Sequence, residues 1–188
     1  MTSPSLKLNK EHQYSLDGKP IDGLTATLKE AGLIRSSDEW YMTKGTAIHL
    51  ATEYYDKGTL DEDILDPQIK PYLESWKRFR KDQNYTPFYI EKSLFDPIYL
   101  YAGTIDRLPL VDLKSGVKEK WHELQLAGYW NLCIVNGFFE QCKKPITIYL
   151  RKDGSSPEVI SYSKKEMKDA FQAFLCFLHT ARWKRRLH

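Results

Sequence analysis

Apolar residues along this chain recur with two periods, one helical and one alternating, and the switches between them divide it into elements. Residues 118–135 carry Trp121, Leu124, Leu126, Tyr129, Leu132 and Cys133 at helical spacing. Residues 66–84 place Ile69, Leu73, Trp76 and Phe79 on one stripe, with Pro67 suited to a first turn. Ser163, with Glu166 three residues on, predicts a capping box for a last helix running through Met167, Phe171, Phe174, Leu175 and Leu178. A short helix over 25–31 is stopped by Gly32, and a longer one starts at Ser36 or Ser37 and runs past His49 and Glu53 to Asp56, before Gly58. Strands are expected over 13–19, 86–96, 145–150 and 158–162, the last two joined by a turn at Lys152, Asp153 and Gly154. Residues 98–101 lead from the second of these into 101–116, which gives three antiparallel strands in succession.

The stretch 101–116 changes the picture. Asp106, Asp112 and Lys114 sit in a strand-like run whose other members include Ile105, Leu108, Leu110, Val111 and Leu113, a setting in which unpaired charge is costly. A hairpin with Leu108, Pro109 and Leu110 at its tip sets Asp106 opposite Asp112 and puts Lys114 on the face of Asp112. Facing carboxylates repel, so one pKa rises unless a divalent cation takes both as oxygen ligands, and magnesium or manganese fits best. A neighbouring ammonium can hold an attacking water and offset charge in a phosphoryl transition state. The bland alternative, a surface salt bridge between Asp112 and Lys114, leaves Asp106 unexplained.

Gly103-Thr104-Ile105-Asp106, then Asp112-Leu113-Lys114, then Gln125-Leu126-Ala127-Gly128-Tyr129, together with Gly45-Thr46-Ala47-Ile48-His49 upstream, resembles the PD-(D/E)XK nuclease superfamily and in particular its RecB-like, phage-type exonucleases. The resemblance covers roughly residues 12–135. It implies an α/β fold with a restriction-endonuclease-like core, a mixed central sheet flanked by helices. It also implies that Asp106, Asp112 and the Leu113 carbonyl bind the metal, that Lys114 is catalytic, and that His49 and Glu91 approach the same ion. Gln125 and Tyr129, one helical turn apart, then border the active site and the DNA strand. One departure stands out: five residues separate Asp106 from Asp112, where such proteins have a longer connection, and Leu-Pro-Leu lacks the Gly or Asn of tight hairpins. Either the hairpin is unusually short or a loop is absent from the chain.

The implied function is Mg- or Mn-dependent hydrolysis of DNA, exonucleolytic in preference to endonucleolytic, of a phage or prophage recombination and repair type with a recombination partner protein. The alternatives are a catalytically silent DNA-binding or recombination-accessory protein on the same fold, and an endonuclease or resolvase.

Composition adds bounds. A chain of 188 residues, 41% hydrophobic and 13% aromatic, supports one domain over 1–188, with 1–35 as an N-terminal extension of short strand and helix. The net charge of +3 is mild, so polyanion binding depends on clusters: Lys77, Arg78, Arg80 and Lys81 on one helix, with Arg78 and Lys81 as DNA contacts, and Arg182, Lys184, Arg185 and Arg186 at the end. Cys133, Cys142 and Cys176 are odd in number and without a CxxC, which argues against a disulfide framework and against zinc. Three cysteines also fall short of the four that hold an iron–sulfur cluster in some relatives. No apolar run approaches the ~18 residues of a membrane span, and no signal-peptide pattern opens the chain, so a cytoplasmic protein of a bacterium or phage-infected cell is expected.

Overall fold

The computed structural model describes residues 4–34 and 39–187; the cap at Ser36 or Ser37 lies outside them. The elements in chain order are β1 Leu6–Leu8, β2 Tyr14–Leu16, β3 Lys19–Gly23, α1 Leu24–Glu30, α2 Glu39–Asp56, α3 Lys70–Asp82, β4 Tyr89–Asp96, β5 Tyr101–Leu108, β6 Val111–Lys114, α4 Trp121–Val135, β7 Ile146–Tyr149, β8 Glu158–Ser161 and α5 Lys164–Lys184. The fold is mixed α/β, with a mixed sheet between helices, as expected.

The sheet path runs β1-β2-β3-β5-β6-β7-β8, with β4 on the remaining edge of β5. Two of its contacts are parallel, β3 with β5 and β6 with β7; the others are antiparallel. The edge of β5 away from β4 is shared. β3 takes Tyr101 and Ala102, and β6 takes Arg107. Between them the sheet forks, and Gly103, Thr104 and Ile105 pair only with β4.

One apolar cluster joins Leu24 and Leu28 of α1, Leu126 and Leu132 of α4 and Phe174 and Leu178 of α5 to Tyr101 and Ile105. The other joins Ile48 and Ala51 of α2 and Leu73, Trp76 and Phe79 of α3 to Val111, Leu113 and Ile148. Alternation therefore turns Asp112 and Lys114 away from α2 and α3, toward α4. Gly103 admits α4 closely: a Cβ there would lie 2.8 Å from Tyr129 Cε1. At Gly45, where a close approach was expected, a Cβ would meet only Ser115 Oγ at 3.8 Å.

One further expectation needs correction, and both basic clusters are partly committed within the fold. Asp66 and Pro67 form a turn ahead of α3, with the Asp66 carboxylate accepting from Gln68 N at 2.7 Å, so Pro71 occupies the first turn of the helix. At the basic end of the chain, Arg182 bonds Asp22 at 2.6 Å and the Tyr99 and Leu100 carbonyls at 2.8 Å, and Arg185 bonds Asp22. On α3 half of the basic cluster is committed, Lys77 to Glu62 and Glu74 and Arg80 to Asp56.

Arg107 is fully buried, a placement that nothing in its local sequence announces. Its Nε donates to Asp56 Oδ2 at 2.5 Å, and its other nitrogens reach Glu91 Oε1 at 3.1 Å, Thr52 Oγ1 at 3.2 Å and the Asp106 carbonyl at 2.6 Å. Asp56 also accepts from Trp76 Nε1 and Arg80. Removing one partner of such a buried pair strands the other charge, which costs about 3–5 kcal/mol. Asp56→Ala is expected to lose that much in urea unfolding; a loss within experimental error would show that Arg107 does not depend on it.

Candidate active site

The fork gathers side chains from both faces of the sheet. The pairing of Arg107 with Val111, carried along an unbroken ladder, would set Leu113 opposite Ile105; instead Leu113 N donates to Asp106 Oδ2 at 2.7 Å. The Asp106 carboxylate thus bridges the point where β6 peels away. The five-residue connection closes as the unusually short hairpin, with Leu108, Val111 and Leu110 buried and a cis Leu108–Pro109 bond.

His49 comes from α2, its Nδ1 3.7 Å from Asp106 Oδ2. Glu91 comes from β4. Its φ of 50° is left-handed in mid-strand, and ladder pairing is interrupted between Ile90 and Lys92; strain of this kind marks functional positions. The result is that ligand atoms of His49, Glu91 and Asp106 all lie within 4.8 Å of one another. No sequence pattern announced the backbone break at Glu91.

Asp112 and Lys114 form the second half of the site. Lys114 Nζ is 2.9 Å from both carboxylate oxygens of Asp112, but only Oδ1 receives a well-directed hydrogen bond, and buried Oδ2 is left without a hydrogen-bond partner. Lys114 also donates to Gln125 Oε1 at 2.7 Å. Gln125 Nε2 in turn reaches Thr25 Oγ1 at 2.9 Å and the Tyr129 hydroxyl at 3.2 Å. An ammonium has three donors, so one proton of Lys114 remains for a substrate or water.

His49, Glu91, Asp106, Asp112, Leu113, Lys114, Gln125 and Tyr129 are thus linked around the fork, while Arg78 and Lys81 stay exposed on α3 with no bond to it. Glu53 on α2 pairs with Lys57.

The electrostatics follow from burial. Desolvation pushes the Asp112 carboxyl up to about 7, with Asp106 adding and Lys114 opposing. Desolvation and then Asp106 push Glu91 up to about 8, against Arg107. Desolvation, helped by Lys114 and Arg107, lowers His49 despite the attraction of Asp106. A site that strains to keep its carboxylates charged is one that a cation relieves.

No family model and no curated protein matches the chain. Among solved structures it is similar to a crystal structure from Eubacterium rectale described as a "Putative exonuclease", at 12% identity and a TM-score of 0.63, covering 86% of this chain and 79% of that one. At that identity the likeness shows the fold.

The raised carboxyls give a stability signature. A carboxyl whose folded pKa exceeds its unfolded value stabilises the fold at low pH, and that contribution is lost as pH rises through the folded pKa, here about 7 for Asp112 and about 8 for Glu91. Lowered His49 and His122 act oppositely below about pH 6.5. Between about pH 6.5 and pH 8.5 the melting temperature in EDTA is therefore expected to fall, and the gain from added manganese to grow. A flat profile in both conditions would remove the strained-carboxylate reading.

Proposed function

We propose that the protein is a metal-dependent deoxyribonuclease of the PD-(D/E)XK type, acting on DNA ends as an exonuclease. The observation that carries this reading is the meeting, at one fork of the sheet, of the His49, Glu91 and Asp106 cluster with the Asp112–Lys114 pair. The similar fold of the E. rectale protein supports it.

The donor set fits a divalent cation. It offers an imidazole nitrogen and two carboxylates within 4.8 Å, and the buried Asp112 Oδ2 lacks a partner. Carboxylate-rich sites suit Mg²⁺ and Mn²⁺, and the nitrogen ligand favours manganese. Asp106, Glu91 and His49 would hold the ion, with Asp112 joining through Oδ2. Such an ion neutralises charge on the phosphodiester and lowers the pKa of a bound water.

The chain's own groups supply the rest. Asp112 and Gln125 fix the Lys114 ammonium from two sides, leaving its third proton to orient a water or meet charge growing on the phosphoryl oxygens. Tyr129 and Thr25 hold the Gln125 amide in the orientation that presents Oε1 to Lys114. Arg107 braces Glu91 from behind, which keeps that carboxylate placed while its own charge is balanced by Asp56.

Two outcomes are expected. Lys114→Ala should retain manganese affinity by calorimetry, because an ammonium is not a ligand, yet lose ~10²-fold or more in single-turnover cleavage. Unimpaired cleavage would take Lys114 out of the mechanism. Covalently closed circular DNA should resist the wild-type enzyme while linear DNA of equal length is degraded in manganese but not in EDTA. Equal rates would make it an endonuclease, and no cleavage with any divalent metal would leave a DNA-binding protein.

A further inference from the structure

We propose that the cleft between the β1–β2 hairpin and α1 is a nucleobase pocket, which receives the base beside the scissile bond from a single DNA strand. This rests on the nuclease reading and specifies which form of substrate the site takes.

The cleft has a volume of about 410 Å³ and counts Glu91, one member of the His49, Glu91 and Asp106 cluster, among its walls. That volume falls within the ~300–1,000 Å³ of small-molecule sites. It suits one flat heterocycle and not a duplex. An adjoining cavity of about 640 Å³ shares Leu8, His12, Tyr14, Gly23 and Ala26 with it, which leaves room for the strand to continue.

The lining suits a base better than a phosphate. Tyr14 is half-buried, its ring close to Gly23 and its hydroxyl bonded to Thr104 at 2.8 Å, so it is held in place. Tyr129 closes the inner end over Gly103, and His12 is exposed at the hairpin turn. Base–aromatic stacking tolerates any sequence, because every base has a π face. The ionisable side chains of the lining are Glu11, Glu91 and Lys29; with Glu91 assigned to the cation, one carboxylate and one ammonium remain, which leaves no net positive charge to draw a phosphate into the cleft. Lys29 is exposed on α1 and so is placed for the backbone outside it.

The pocket is also wired to the catalytic ammonium. Thr25 lines it and accepts from Gln125 Nε2, while Gln125 Oε1 accepts from Lys114. An occupant that reaches the Thr25 hydroxyl would therefore touch the group that positions Lys114. A base enters only after unpairing and unstacking, a cost that a single strand largely avoids.

The test uses oligothymidylates of about ten nucleotides carrying 2-aminopurine at the 5′ or the 3′ end, bound to the full chain in calcium, with fluorescence and affinity as readouts beside cleavage in manganese. Emission is expected to fall several-fold at one end only. An abasic residue at that end should weaken binding about tenfold, as should His12→Ala. Ala26→Trp, at an exposed position that loses no packing, should fill the cleft and abolish the quench. A matched duplex should bind at least about tenfold more weakly. Bound oligonucleotide with unchanged emission at both ends, or undiminished cleavage by Ala26→Trp, would overturn the pocket and leave the nuclease reading standing. If no oligonucleotide is bound or cleaved by the wild type, both fall.

Discussion

The hydrogen bond from Leu113 N to Asp106 Oδ2 is the contact on which the rest of the site depends. Where β6 leaves β5, a backbone donor is released in the interior, and an unsatisfied buried N–H costs about as much as a lost hydrogen bond. A carboxylate at position 106 satisfies it with one oxygen and joins the cluster with His49 and Glu91. The same residue therefore closes the sheet and opens the site. Everything nearby is arranged around its charge: Asp112 is held by Lys114, and Glu91 by Arg107.

Arg107 shows how such a concentration of carboxylates is tolerated. It is as buried as any aliphatic residue among those described, yet it finds four hydrogen-bond acceptors, Asp56, Glu91, Thr52 and the Asp106 carbonyl, and lies over the Trp76 ring. Asp56 lies at the end of α2, seven residues beyond His49, so the ion pair also fixes the helix that delivers the imidazole. Buried pairs are weak sources of net stability, and their best-attested value is in specifying one arrangement. Here that arrangement is the placement of α2 and β4 about the fork.

Much of this was legible in the sequence because local chemistry dictated it. The capping box at Ser163 and Glu166 is formed as the spacing predicts, and the α4 stripe packs as its period requires. Asp106, Asp112 and Lys114 stood out because charge in an apolar run needs a reason. What the letters concealed is geometric. Arg107 read as one more strand residue, since nothing local shows that its partner lies 51 positions earlier. The break at Glu91 is a backbone event on a residue type that does not favour it. The role of Arg182 and Arg185 depends on Asp22, some 160 residues away, so nothing local in the basic run shows that these two are tied.

The most direct measurement is a crystal structure from manganese-soaked crystals, with anomalous diffraction to locate the ion. One peak, or a close pair, is expected at the fork, bounded by Asp106, Glu91 and the His49 imidazole, with Asp112 turned from Lys114 so that Oδ2 faces the metal. No anomalous density there, or a peak bound only elsewhere on the chain, would contradict a metal centre at this fork.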